Sequence, residues 1–215
     1  MRSAIPTLRD FAHTTIARGV LPLALDNCQD RGLRPLFVDA TCGNGHDAAF
    51  MVRTAMPRLV ERGLSARLLA LDVQEAAIAN TRLLLDDQGV PDAVRADLVQ
   101  ASHADMEQLI QEGEGVAVAM FNLGYLPGSD KDVITKKEFT IAALLALAGR
   151  VIPGGAICVH TYAGHKGGAE EAAAVEAWFA ALPEKLWAVG RYSFPNKTKN
   201  PETLYLTCKL ADSTP

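Results

Sequence analysis

Apolar residues in this chain fall into short runs separated by longer amphipathic stretches, and the alternation becomes regular at Leu36. Before it, Leu8, Phe11, Thr15 and Ile16 recur at helical spacing within Leu8 to Leu25, and Gly19 and Pro22 interrupt them, which predicts an N-terminal helical lead-in over residues 1–35. Leu36 to Ala40 reads as a buried strand, and Gly43-Asn-Gly-His-Asp opens a helix that Pro57 is expected to divide. Arg67 to Leu71 is a second strand ending at Asp72, followed by a helix over Gln74 to Gln88. A third strand is expected over Val94 to Val99, a short helix over Asp105 to Gln111, a fourth strand over Val116 to Phe121 and a helix over Lys136 to Val151. Gly155 to Thr161 is the fifth strand, and Ala169 to Leu182 is the helix after it. The rhythm then changes: Lys185 to Ser193 and Thr203 to Leu210 are two strands joined by a loop, a connection too short for a parallel return.

Five βα units closed by a hairpin predict an α/β fold, a seven-stranded, mostly parallel, doubly wound sheet with one reversed strand and helices on both faces. Residues 36–210 form its core, and the chain reads as a single domain over 1–215 without repeat or linker. Ligands of such sheets bind beyond the carboxyl ends of the strands, so the chemistry belongs in the loops after strands one to five.

Composition narrows the setting. Hydrophobic residues make up 49% of the 215 and charged residues 21%, values of a globular chain. The longest apolar run, Ile141 to Ala148, cannot span a bilayer, and Arg2, Arg9 and Asp10 leave no signal-peptide core, so no membrane association and a cytoplasmic location are expected. Cys28, Cys42, Cys158 and Cys208 show no Cys-x-x-Cys spacing and read as reduced thiols. A net charge of −4 argues against tight non-specific nucleic-acid binding but permits a local basic patch.

The loop after the first strand is Asp39-Ala-Thr-Cys-Gly-Asn-Gly. Gly43 and Gly45 let the backbone turn sharply and approach a ligand, while an acidic Asp39 would repel a pyrophosphate and suits a cationic amino group. Ala48 stands where a dinucleotide fingerprint would have its third glycine. Asp72, ending the second strand, suits both hydroxyls of a ribose, or else caps a helix. Asp39, Gly43, Gly45 and Asp72 together describe a nucleoside carrying an amino acid, S-adenosylmethionine. In the third loop Ser102-His103-Ala-Asp105 either borders the adenine or supplies, through Ser102 or Asp105, the cap of the short helix that follows. The five histidines lack ligand spacing and no carboxylate cluster accompanies them, so no metal is expected.

The fourth loop begins Asn122-Leu123-Gly124-Tyr125. Methyltransferases acting on amino groups hold an Asn or Asp, two residues and an aromatic at this place, and here the same pattern stands without prolines. A nitrogen nucleophile must present its lone pair in line with the S-methyl bond. The Asn122 side-chain oxygen and the Leu123 carbonyl can hold its N–H groups while Tyr125 packs on a flat base, positioning that is worth several kcal/mol. The alternative is a strand exit with a buried tyrosine.

"VDATCGNGHD", "LDVQEAAIANT", "FNLGYLPGSDK", "GHKGGAEEAAAV" and "NKTKNPETLYL", in order between Leu36 and Leu210, resemble the bacterial family of tRNA 5-aminomethyl-2-thiouridine methyltransferases, long labelled putative rRNA methylases. Ala48 and the Asn196-Lys197 pair depart from the family's usual residues. The resemblance implies a Rossmann-like class I fold that methylates the aminomethyl nitrogen of a wobble uridine, giving 5-methylaminomethyl-2-thiouridine. It adds Thr41, Asn44, Asp47, Gln74, Leu123 and Gly124 to the cofactor-binding set, with Asn122 and Tyr125 as the catalytic pair. Lys131, Lys136, Lys137, His165, Arg191, Asn196, Lys197 and Lys199 are the candidate contacts to the tRNA anticodon region, although solvated surface is the commoner fate of lysine. The methylated nitrogen can lose its extra proton to solvent, so no strong general base is required, although Asp130 or His165 could assist, and a homodimer is the expected assembly. The competing readings are a methyltransferase for another RNA or a small amine, and a non-catalytic nucleotide- or RNA-binding module.

Overall fold

The structure, a computed structural model, describes residues 4–124, 135–164, 166–199 and 201–212. It opens with α1 (Leu8–Thr15), a π turn (Ile16–Val20) and α2 (Leu21–Asp30), so the Gly19–Pro22 interruption is one widened turn within a nearly continuous helix. Then follow β1 (Arg34–Asp39), α3 (His46–Arg62), β2 (Ala66–Asp72), α4 (Glu75–Gln88) and β3 (Val94–Gln100). A 3-10 turn (His103–Asp105) leads into α5 (Met106–Leu109), and β4 (Glu114–Leu123), α6 (Lys137–Ala148), β5 (Val151–Tyr162) and α7 (Gly168–Ala180) continue the alternation. The hairpin β6 (Trp187–Ser193) and β7 (Glu202–Lys209) closes it.

Among the described residues one sheet forms, in the order β3-β2-β1-β4-β5-β7-β6. β7 is antiparallel to both β5 and β6, so it alone is reversed, as expected. Reversal puts its first residue, Glu202, opposite Tyr162 at the carboxyl edge of the parallel strands. The order turns back between β1 and β4, and the crevice there is the place where such sheets hold ligands.

The two faces have separate cores. Leu8, Ile16, Leu25, Phe50 and Leu59 from α1 to α3, with the π turn, pack on Phe37, Leu68 and Cys158, while Met106, Leu144, Leu147, Val175 and Phe179 from α5 to α7 cover Leu36, Leu69 and Val159. Alternation of strand side chains supplies both sets. The near-continuous apolar composition of β1, β2 and β4 follows from burial on both sides. At the amino edge Arg67 donates to Asp97 at 2.6 Å and to the buried Glu114 at 3.1 Å, an arrangement that leaves neither buried charge alone.

Three expectations need correction. Pro57 does not divide α3, which runs unbroken from His46 to Arg62. Pro57 and Arg53 are exposed, so the carbonyl that loses its intrahelical donor faces water. The helix expected to reach Val151 ends at Ala148, because Val151 already belongs to β5 and pairs with Val116. β4 continues two residues beyond Phe121, which makes Asn122 part of the strand, paired with His160.

Candidate active site

At the carboxyl edge of the sheet lies a cleft of about 1350 Å³, walled by the ends of β1 to β5, the start of β7 and the first helix. That volume exceeds the few hundred to about 1000 Å³ usual for a single small ligand, leaving room for a nucleoside cofactor beside a second group.

One half is built from the first three loops. Asp72 accepts the Gly43 N–H through Oδ2 at 3.1 Å and the Gln74 N–H through Oδ1 at 3.0 Å. Each oxygen keeps lone-pair capacity, and the carboxylate lines the cleft, which fits the paired hydroxyls of a ribose. The Thr81 hydroxyl donates to the Gly43 carbonyl at 3.2 Å, and Asn80 donates to the Asn44 side chain at 3.0 Å, so α4 braces the loop from behind. Gly45 sits at φ +79, where a Cβ would lie 2.9 Å from the Cα of Thr81. Its lack of a side chain therefore serves helix packing, and Gly45 does not reach the cleft wall.

Asp39 also stands behind the wall rather than on it. It is 2% exposed and accepts the Ala48 N–H at 2.9 Å, which caps α3 from the neighbouring strand end. Burial, reinforced by the charge of Asp47 and then Asp72, pushes its carboxyl well above the usual carboxylate range. Asp47 and Asp72 line the cleft, and Asp47 is held by His13 at 2.7 Å while His13 stacks on Phe50. The two carboxyl groups on the wall, Asp47 and Asp72, favour a cationic ligand there. Cys42 lines the same wall, but burial pushes its thiol up to about 12, so it offers no thiolate nucleophile.

The third loop contributes Ser102, which accepts the Ala104 N–H at 3.1 Å, and His103. Ser102 caps the turn, as the cap alternative expected, and also borders the cleft. Burial pushes His103 down to about 4, so it is neutral near pH 7, edge-on to Phe121 and 3.3 Å from the Thr140 hydroxyl.

The other half begins at Asn122. Its N–H donates to the Thr41 hydroxyl at 2.7 Å, and its carbonyl accepts the Gly124 N–H at 2.9 Å, so the strand end is tied both to the first loop and to its own turn. Phe121 and Leu123 are buried on the opposite face, and the exposed Asn122 side chain is part of the cleft wall. Asn196, Lys197 and Lys199 from the hairpin loop line this half as well. Lys136 and Lys137 lie at the start of α6, outside the wall, and Arg191 is engaged with Glu176 of α7 at 2.9 Å. Tyr125, Asp130, Lys131 and His165 lie outside the described residues. The sequence reading missed Arg9, Tyr162 and Glu202, all on the wall. The signal for Tyr162 was its place at the end of the fifth strand; nothing local marks Arg9. Among the described residues no His, Cys, Asp and Glu cluster suits a metal, and no helix is long and apolar enough to cross a membrane.

The sheet order, the split cleft and the acidic first loops define a class I, Rossmann-like methyltransferase fold. The family model for "Putative rRNA methylase" matches residues 68–208, well over half of the chain, and the protein belongs to that methyltransferase family. A crystal structure of a "putative rRNA-methylase" from Clostridium thermocellum superposes with TM-score 0.78 at 31% identity, over 97% of this chain and 100% of that one. A "putative methyltransferase" from Streptococcus mutans, solved in complex with SAH, gives TM-score 0.74 at 25% identity, over 96% of this chain and 99% of that one. The Arabidopsis thaliana protein named "tRNA (mnm(5)s(2)U34)-methyltransferase, chloroplastic" is 36% identical over 79% of this chain, and the match spans 61% of that relative.

Proposed function

We propose that the protein transfers a methyl group from S-adenosylmethionine to the aminomethyl nitrogen of wobble 5-aminomethyl-2-thiouridine in the tRNA anticodon region. The observation that carries this reading is Asn122, an amide on the cleft wall at the end of β4, tied through Thr41 to the loop that Asp72 organises. The named activity of the Arabidopsis relative supports the substrate, and the SAH bound by the Streptococcus mutans neighbour supports the cofactor.

S-adenosylmethionine supplies an electrophilic methyl group on a sulfonium. The chain's residues do the rest: Asp72 holds ribose hydroxyls, Asp47 on the wall sets a negative field for a cationic ligand, and Asn122 accepts an amine N–H so that the lone pair faces the methyl. An alkylamine attacks only when neutral, and a partly desolvated cleft near a positive charge lowers its pKa. Asn196, Lys197 and Lys199 line the cleft, and on this reading they meet the RNA. The four free cysteines fit a reducing compartment such as the cytoplasm.

Nucleoside mass analysis of tRNA incubated with protein and S-adenosylmethionine tests the reading: one methyl gained on aminomethyl-thiouridine is expected. A methyl on another nucleoside or on a small amine moves the protein to those substrates, and no transfer despite cofactor binding makes it a binding module. Asn122→Ala should lower turnover by roughly 100-fold, with S-adenosylmethionine affinity within about tenfold of wild type.

A further inference from the structure

Beyond the amide, the cleft wall holds a line of hydrogen-bonded ionisable groups that leads away from it. The Tyr162 hydroxyl is 3.2 Å from His160 Nδ1, His160 Nε2 is 3.2 Å from Glu202 Oε2, and Lys197 Nζ donates to Glu202 Oε1 at 2.5 Å. The two rings stack with centroids 4.3 Å apart. Tyr162, Glu202 and Lys197 line the cleft. His160 pairs with Asn122 across β4 and β5, so the two side chains stand on one face of the sheet. Tyr162 follows on that same face, its ring 3.4 Å from where a Cβ on Gly124 would be, and so lies over the Asn122–Gly124 turn.

The proton positions follow from the partners. Burial pushes Glu202 up, but the hydrogen bonds and charges of Lys197 and His160 outweigh it and leave the carboxyl below its ordinary range, hence ionised and acceptor-only. Burial pushes His160 down, against the opposing pull of Glu202 and Asp47, so the imidazole is neutral near pH 7. Nε2–H must then donate to Glu202, which leaves Nδ1 to accept the Tyr162 O–H. The phenol oxygen retains its lone pairs for a donor arriving from the cleft.

We propose that Tyr162 is the proton acceptor for the substrate ammonium, with His160 and Glu202 as positioning residues that draw the proton inward. This rests on the amine-methylation reading above. The ammonium gives one proton to the Tyr162 oxygen as the Tyr162 O–H proton passes to His160 Nδ1, and Glu202 stabilises the imidazolium. The freed lone pair forms the N–C bond as the S–C bond breaks; the resulting secondary ammonium keeps or sheds its proton to solvent after release. Burial pushes the Tyr162 phenol up to about 12, which favours transfer through it over a standing phenolate. Charged groups facing the relay are Glu202, Asp47, Lys197 and, toward Tyr162, Arg9.

The experiment is single-turnover methyl transfer to tRNA carrying the aminomethyl group, followed from acid to alkaline pH, with S-adenosylhomocysteine affinity measured in parallel. Wild type should hold its rate to below the ordinary histidine pKa. Tyr162→Phe and His160→Gln should each lose at least about tenfold near pH 7 and recover as the pH approaches the amine's own pKa. Cofactor affinity should stay within about twofold, since neither side chain belongs to the cofactor half. Variants with the wild-type pH profile, or a loss uniform in pH, overturn the relay while leaving the methylation reading in place. Wild-type protein that leaves the aminomethyl group untouched overturns both. Should one variant fail to bind S-adenosylhomocysteine, the other decides.

Discussion

Gly45→Ala inserts one methyl group where the start of α3 packs against Thr81 of α4. The backbone at Gly45 is left-handed, φ +79, and an L side chain in that region costs roughly 1–2 kcal/mol. The new Cβ would lie 2.9 Å from the Thr81 Cα and 3.2 Å from both Cγ2 and Oγ1 of Thr81. Because the nearest atom is backbone, no rotamer change relieves it and α4 must move, an overpacking cost of roughly 1–3 kcal/mol. The total, about 2–5 kcal/mol, is below the roughly 5–15 kcal/mol that holds a typical domain, so the variant should fold but unfold at lower urea. The displacement has a direction: Thr81 donates to the Gly43 carbonyl and Gly43 donates to Asp72, so cofactor affinity should fall together with stability. Urea unfolding and calorimetric titration with S-adenosylhomocysteine measure the two. Adding Thr81→Ala removes the two 3.2 Å contacts but not the 2.9 Å one, and should restore only part of the stability. Unfolding within about 0.5 kcal/mol of wild type, with unchanged affinity, would refute the packing argument.

Two further outcomes follow from the acidic loops. Asp72→Asn leaves one acceptor oxygen for two loop N–H groups, so S-adenosylhomocysteine affinity should drop by at least about tenfold in titration; an unchanged affinity would remove Asp72 from the ribose site. Asp39→Asn keeps an acceptor for Ala48 while deleting a carboxyl whose folded pKa is raised by burial, Asp47 and Asp72. A raised folded pKa means that wild type is stabilised below the unfolded value of about 3.9 and loses that stability as pH climbs through the folded value. Thermal midpoints of the variant minus those of wild type should therefore increase from about pH 4 toward pH 8, and parallel curves would sink the assignment.

The βα alternation could be read from the sequence because each parallel strand buried on both faces is an apolar run; Gly43, Asp72 and Asn122 were legible from their strand-end places, and Thr41, Asn44 and Gln74 through the family resemblance. What was hidden depends on contacts between distant residues. Val151-Ile-Pro-Gly-Gly reads locally as a helix end and turn, yet pairing with β4 across a register shift makes it the start of β5. Tyr162 was cut from that strand for the same reason: the ladder to β7, not composition, sets where β5 ends. Asp39 at the end of β1 and Asp47 in the first turn of α3 flank one loop, and only the packing decides which is buried behind the wall and which faces the cleft. His13 and Asp47 lie 34 positions apart, so nothing near either announces their contact.

The reversed strand β7 has an evolutionary consequence. Had it run with its neighbours, its leading end and the residues before it would emerge on the far side of the sheet, away from the cleft. Running backwards, it delivers Glu202, with Asn196 to Lys199 before it, to the cleft wall. On the methyl-transfer reading proposed above, cofactor recognition and target recognition fall in separate stretches of chain, the first before Asp105 and the second, apart from Arg9, after Phe121. On that reading, insertions or substitutions between Phe194 and Glu202 would redraw which target fits while the nucleoside half stays as it is, so selection could retune the target without relearning the methyl donor.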